Sequence, residues 1–167
     1  MKKSVGAVLV GILLALGIGV LIVLGIMAPV FTRFFGQNLA LTALPVILLI
    51  FAAAFSFYWG GMFASYRAPS RRRLHGTLVG LISFAVTPVV NLFTSLLGAD
   101  NDPFANLRTP TSMLLSIVLF VAVVAASYVG SRRGETIYAH NAEVLRKREI
   151  RRRREQARQQ ASASEGQ

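Results

Sequence analysis

Four stretches of this chain are long, apolar and free of acidic and basic side chains, and a water-soluble domain of 167 residues has no core large enough to hold them all. Residues 5–31, 39–66 and 111–130 carry no charge, and 74–97 carries only His75 near its start. A helix needs about 20 predominantly apolar residues to cross a hydrocarbon layer of about 30 Å. All four stretches reach that length. Apolar runs do not by themselves separate strand from helix, but the strands of outer-membrane barrels are about 10 residues long and alternate in polarity. The expected fold is therefore all-α: a polytopic membrane protein with four transmembrane helices over about 5–31, 39–66, 74–97 and 111–130, followed by a basic cytoplasmic C-terminal helix.

Composition agrees. Hydrophobic residues make up 54% of the chain and charged residues 15%, with a mean hydropathy of +0.57; a soluble domain carries about a quarter charged residues. The net charge of +11 would suggest a nucleic-acid ligand in a soluble protein. Here the charges lie in the joints and the tail, so topology is the first explanation to test. The chain has no cysteine, which excludes disulfides, thiolate nucleophiles and Cys-ligated metal centres.

Lys2 and Lys3 ahead of an apolar run also describe a secretory signal peptide. The run far exceeds a signal core of about 7–15 residues, and Pro29 follows Ala28, the one small-residue cleavage candidate. The first segment is thus expected to be a retained helix that Pro29 kinks or ends in its last turn.

Lys and Arg are retained on the cytoplasmic side of a membrane. Lys2 and Lys3, the joint with Arg67, Arg71, Arg72 and Arg73, and the tail from Arg132 onward fall on one side, while Arg33 and Arg108 fall on the other. The first side holds 16 positive and 5 acidic residues; the second holds 2 positives with Asp100 and Asp102. Both termini are therefore expected in the cytoplasm, with the chain in the cytoplasmic membrane of a bacterium.

Helices in lipid associate where small residues let their backbones approach. Each segment offers a row at a spacing of four: Ala7, Gly11, Ala15 and Gly19; Ala52, Ser56, Gly60 and Ala64; Gly76 and Gly80; Ala122, Ala126 and Gly130. The glycines Gly11, Gly19, Gly60, Gly76, Gly80 and Gly130 are the expected packing residues. Polar residues inside the spans are Thr42, Ser56, Ser83, Thr87, Asn91, Thr94, Ser116 and Ser127, with Pro45 and Pro88 as expected kinks. No Asp, Glu, Lys or Arg lies within a span, which leaves nothing to protonate or to move in a field, as proton-coupled transport and voltage sensing require. Thr87, Asn91 and Thr94 share one helical face and form a possible polar lining; an interhelical hydrogen bond at a kink is the plainer reading.

The joint at 98–110 is rich in turn formers. Its Asp100-Asn101-Asp102 resembles the start of a calcium loop but lacks the closing Glu, so no metal site is expected. In the tail, residues 132–160 are mostly helix formers, and 161–167 read as disordered. Arg146, Lys147, Arg148, Arg151, Arg152, Arg153 and Arg154 crowd this helix. A juxtamembrane basic cluster attracts anionic headgroups, and with Arg71, Arg72 and Arg73 these residues are the expected lipid or partner contacts. Phosphates of RNA are a less favoured target, because no aromatic is interleaved for stacking; an acidic protein partner or a homo-oligomer is a further one.

The stretch 60–81, GGMFASYRAPSRRRLHGTLVGL, is similar to the middle of the YrzE-like proteins, small uncharacterised bacterial four-helix membrane proteins. The matching positions are Gly60, Gly61, Ala64, Arg67, His75, Gly76 and Gly80. The resemblance implies the architecture and, since that family has no established activity, no mechanism. The long Arg-rich tail departs from its short ends. An internal echo also joins Phe63-Ala64-Ser65-Tyr66 to Ala125-Ala126-Ser127-Tyr128, each leading into a basic segment.

A hydrolytic site needs a nucleophile, a base and an orienting group, and neither His75 nor His140 shares a span with an acid. No catalytic residue and no cofactor are expected. The expectation is a non-enzymatic accessory or assembly subunit or scaffold of a membrane complex; the alternative is a small oligomeric permease or channel with the polar face on its third helix.

Overall fold

The computed structural model describes residues 2–34, 44–96 and 109–165, and among these every regular element is helical. Helix α1 (Lys2–Ile22) passes through a π-helical turn (Val23–Met27) into α2 (Ala28–Phe34); α3 spans Leu44–Arg67, α4 spans Arg72–Leu96 and α5 spans Pro110–Glu165. Three stretches are long and apolar enough to cross a membrane: Ser4–Phe31, Leu44–Arg67 and one within Pro110–Gln156. The third expected span overlaps α4, a 25-residue helix with Pro88 in its interior that is not one of these three.

Pro29 neither ends the first segment nor sits in its last turn. A proline at this position gives no N–H to the Gly25 carbonyl and pushes its ring against it. The helix absorbs this one turn earlier by widening, with the Ala28 N–H bonded to the Val23 carbonyl, and then continues to Phe34. Such single-turn π bulges are an ordinary way to insert an irregularity without breaking a helix. Pro45 is the second residue of α3, where a missing N–H costs no helical hydrogen bond. The joint at 35–43, with Thr42, and the joint at 97–108, with Asp100 and Asp102, lie outside the described residues.

Thr109 opens α5 with a reciprocal cap. Its Oγ1 accepts the Ser112 N–H at 3.1 Å, and its own N–H reaches Ser112 Oγ at 3.3 Å. Pro110 fills the first helical position, so that Thr-Pro-Thr-Ser is a capping box with serine in the usual Glu position. From there α5 runs to Glu165. Two expectations change: the fourth span and the tail helix are parts of one helix, and 161–165 are helical. With no proline beyond Pro110 and mostly good helix formers, each residue adds to an existing helix at little cost.

The chain divides into two compact units, 1–135 and 136–167. In the first, an up-and-down bundle is built on small residues. α1 and α3 run antiparallel, with Gly11 against Gly60 and Ala64 and Gly19 near Ser56. α3 and α4 are antiparallel through Gly61 and Gly76, and α4 and α5 through Gly80 and Ser127. Ala15, Ala64, Ser56, Ser65, Ser127 and Ser131 are at most 1% exposed, and Val79 is the largest fully buried side chain among the described residues. Outside, Leu13, Leu21, Leu24, Phe51 and Leu114 are all more than 60% exposed. Small inside and large apolar outside inverts the soluble arrangement and suits a surface solvated by lipid. The second unit is the helical stretch 136–165, in which Lys147 bonds Glu143 at 2.7 Å.

Candidate membrane-surface site

The contacts fix which helix ends lie together. Ser4 of α1 meets His75 of α4, Ser65 near the end of α3 donates to the Ser131 carbonyl of α5 at 2.8 Å, and Arg73 pairs with Glu135. The start of α1, the end of α3, the start of α4 and residues 131–135 therefore share one end of the bundle. Lys2, Lys3, Arg67, Arg71, Arg72, Arg73, Arg132 and Arg133 all belong to these segments.

The turn between α3 and α4 is built locally. The Ala68 N–H still reaches the Ala64 carbonyl at 3.0 Å, after which Pro69 stops the helix. Arg71 takes a left-handed conformation with φ 42°, reversing the chain so that its carbonyl receives the His75 N–H at 3.3 Å and opens α4. Arg72 folds back and donates from Nη1 to the carbonyls of Tyr66 (2.8 Å) and Ser65 (3.3 Å). It thereby caps orphan acceptors at the end of α3 and sets a cation against the negative pole of that helix. The Glu135 carboxylate, hydrogen-bonded to Arg73, holds its guanidinium pKa above the ordinary value. The Arg67 guanidinium lies 5.6 Å from the Phe63 ring centre, within cation–π range.

His75 is buried, 8% exposed. Its Nδ1 lies 3.1 Å from the Arg71 carbonyl, which can only accept, so Nδ1 carries a proton; Nε2 faces the Ser4 hydroxyl. Nδ1 is thus tied to the turn before α4, and Nε2 links α4 to α1.

The expected site residues divide by role. Arg71, Arg72 and Arg73 come together, but Arg72 and Arg73 are bonded within the chain and only Arg71 among the three carries neither of these links. Arg146, Lys147, Arg148, Arg151, Arg152, Arg153 and Arg154 are all exposed on α5. Gly11, Gly60, Gly76, Gly80 and Gly130 sit at helix crossings where an added Cβ would collide with a neighbour, whereas at Gly19 the nearest atom would be 3.5 Å away. Thr87, Asn91 and Thr94 belong to α4, but their side chains lie outside the described residues. Among the described residues no three His, Asp or Glu side chains group as a metal site.

Further packing residues lie outside the expected rows of small residues at a spacing of four. Gly61, Gly134, Ser65, Ser131 and Glu135 all help to lock α5 onto α3 and α4. Gly130 and Gly134 are four apart, a signal obscured by the intervening Arg132 and Arg133. The row in α5 also differs from Ala122 and Ala126, which are only half-buried; Val123, Ser127 and Ser131 take the inner face. The internal echo has a structural counterpart: Ser65 and Ser127 are both fully buried, and Tyr66 and Tyr128 both face outward. Comparison with protein-family models, curated proteins and solved structures finds no match for this chain.

Proposed function

We propose that the protein is a non-enzymatic scaffold or accessory subunit of a membrane complex, with four helices across a bacterial cytoplasmic membrane and both termini in the cytoplasm. The observation that carries this reading is the gathering of the basic segments at one end of a bundle whose exterior is Leu, Phe and Ile. A polar end that is predominantly cationic suits the anionic cytoplasmic leaflet. The arginines of α5 contact anionic headgroups there, and the apolar flanks leave lateral surface for partner subunits.

The absence of cysteine makes the topology directly testable. Single replacements Ser164→Cys and Asn101→Cys, probed with a membrane-impermeant maleimide, are expected to react from opposite sides: Ser164→Cys in inverted vesicles, Asn101→Cys in right-side-out ones. Labelling of both from the same side rejects the four-span arrangement. The scaffold role is tested by mild-detergent co-purification: partners retained by the full chain and lost when Arg151, Arg152, Arg153 and Arg154 become Gln support it, and a chain that recovers alone and monomeric rejects it.

A further inference from the structure

Resting on that reading, we infer that the cleft between α1 and α4 holds an acyl chain of an anionic phospholipid, with the phosphate at the helix starts beside Arg71. The cleft has a volume of about 220 Å³ and is walled by Val5, Leu9 and Ile12 of α1 and by Leu78 and Ile82 of α4, with Ser4 and His75 at one end. It is amphiphilic along its length: hydrocarbon over about two turns of α1 and one of α4, then a hydroxyl and an imidazole. Val5 is 57% exposed and Leu9 54%, so the wall opens sideways to lipid rather than into the bundle.

The polar end is electrostatically specific. Ser4 meets His75, and a Cβ on Gly11 would touch Val79, so α1 and α4 run parallel and both begin at this end. Two helix N-termini present partial positive charge to the same region, and Lys2 and Lys3 open one while Arg71 precedes the other. Arg72 and Arg73 point elsewhere, to the α3 carbonyls and to Glu135. A zwitterionic headgroup would bring its own cation into this field; an anionic one would not.

A second copy of the chain fits the cleft poorly. Copies side by side in one membrane would bring like-charged ends together, each chain carrying a net +11. A lipid supplies both the apolar chain and the compensating charge.

The test uses the full chain in bilayers of phosphatidylcholine and phosphatidylglycerol in which one lipid carries brominated acyl chains that quench tryptophan. Trp59, the single tryptophan, is replaced (Trp59→Phe), and a reporter is placed in the cleft (Leu9→Trp) or on exposed α5 at similar depth (Val129→Trp). Brominated phosphatidylglycerol is expected to quench the cleft reporter with a preference of about fivefold or more over its bulk share, the effect of about one added cation, and the α5 reporter with little preference. Arg71→Asn, which removes the charge while tolerating a left-handed backbone, is expected to erase most of that preference. Equal quenching of both reporters by both lipids overturns the inference and leaves the membrane reading standing. A cleft reporter shielded from every lipid while Val129→Trp is quenched means a protein occupies the cleft, which also overturns it. Shielding of both reporters from all lipid rejects the membrane reading itself.

Discussion

Gly61 of α3 and Ser127 of α5 meet backbone to backbone: a methyl group built on Gly61 would stand 2.5 Å from the Ser127 carbonyl oxygen and 2.9 Å from its Cα. Neither atom can swing away as a side chain can. Gly61→Ala is therefore expected to force the helices apart and cost about 1–3 kcal/mol, the usual penalty of overpacking. Gly17 has no atom within 4 Å of its would-be Cβ, and Gly17→Ala is expected to be neutral or to stabilise by up to about 1 kcal/mol through helix propensity. Thermal unfolding in a mild detergent compares them. Equal melting of the Gly61→Ala protein and the parent chain would refute the close crossing.

The reciprocal bonds between Thr109 and Ser112 satisfy donors in the first turn of α5 that otherwise have no helical partner. Thr109→Ala is expected to cost about 1 kcal/mol, and its effect should be local. Amide hydrogen exchange is expected to quicken at Ser112 and Met113 while Ser127 to Ser131, locked against α3, stay unchanged. Uniform acceleration across α5 would mean that the cap stabilises the whole bundle instead.

Hydropathy makes the helical segments legible because each run is longer than any strand could be, and spacing of four makes the inner faces of α1, α3 and α4 legible because only small residues recur there. In α5 the same rule finds Gly130 but picks Ala122 and Ala126 in place of Val123 and Ser127. Ala122 and Ala126 are as small as Ser127 and Ser131, so size does not distinguish the rows, and the inner face is set by the close crossings of α5 with Gly61, Gly76 and Gly80. The unbroken course of α5 is hidden for a different reason: Gly130 and Gly134 around two arginines look like a helix C-terminus, yet both glycines lie where α3 carbonyls, those of Tyr58 and Met62, leave no room for a side chain. For the joint, sequence identifies a cluster of arginines but not its division of labour, because which cation caps α3 and which pairs with Glu135 depends on the reversal at Arg71.

Arg72 caps α3 with one nitrogen of a planar guanidinium shared between two carbonyls. Lysine keeps the charge but carries it on a flexible stem rather than a planar, pre-organised guanidinium. Arg72→Lys is therefore expected to retain part of the charge–dipole stabilisation yet loosen the turn, and Arg72→Gln to lose both. Limited proteolysis at 68–71 reads this directly: cleavage should increase from the parent chain to Lys to Gln. Resistance that is the same in all three would show the turn is held by Pro69 and Arg71 alone.

Lys147, hydrogen-bonded to Glu143, holds that carboxyl below its usual pKa. A depressed folded pKa means that the pair supports the helix at any pH above the ordinary glutamate value and that this support fades as pH falls through the lower, folded one. The pair is fully exposed, so the effect is local and salt-sensitive. In the carboxyl carbon titration of the full chain, followed by NMR, Glu143 is expected to have its midpoint below the ordinary glutamate value, and Lys147→Gln should move it up. A midpoint unaffected by Lys147→Gln would show that the contact does not persist in solution.

The arginines at 151–154 lie on an exposed helix with no continuous apolar face, so attraction to a membrane would be electrostatic rather than insertive. Electrostatic attachment falls with ionic strength over a screening length of about 10 Å at 0.1 M salt. A spin label at Ser162→Cys in the reconstituted full chain is expected to be less mobile in bilayers containing phosphatidylglycerol than in neutral ones. The difference should shrink as salt is raised and vanish when Arg151, Arg152, Arg153 and Arg154 are changed to Gln. A label equally mobile in both bilayers, but immobilised by added RNA, would move the target of these arginines from the lipid surface to a phosphodiester backbone, whose neutralisation carries the same salt signature.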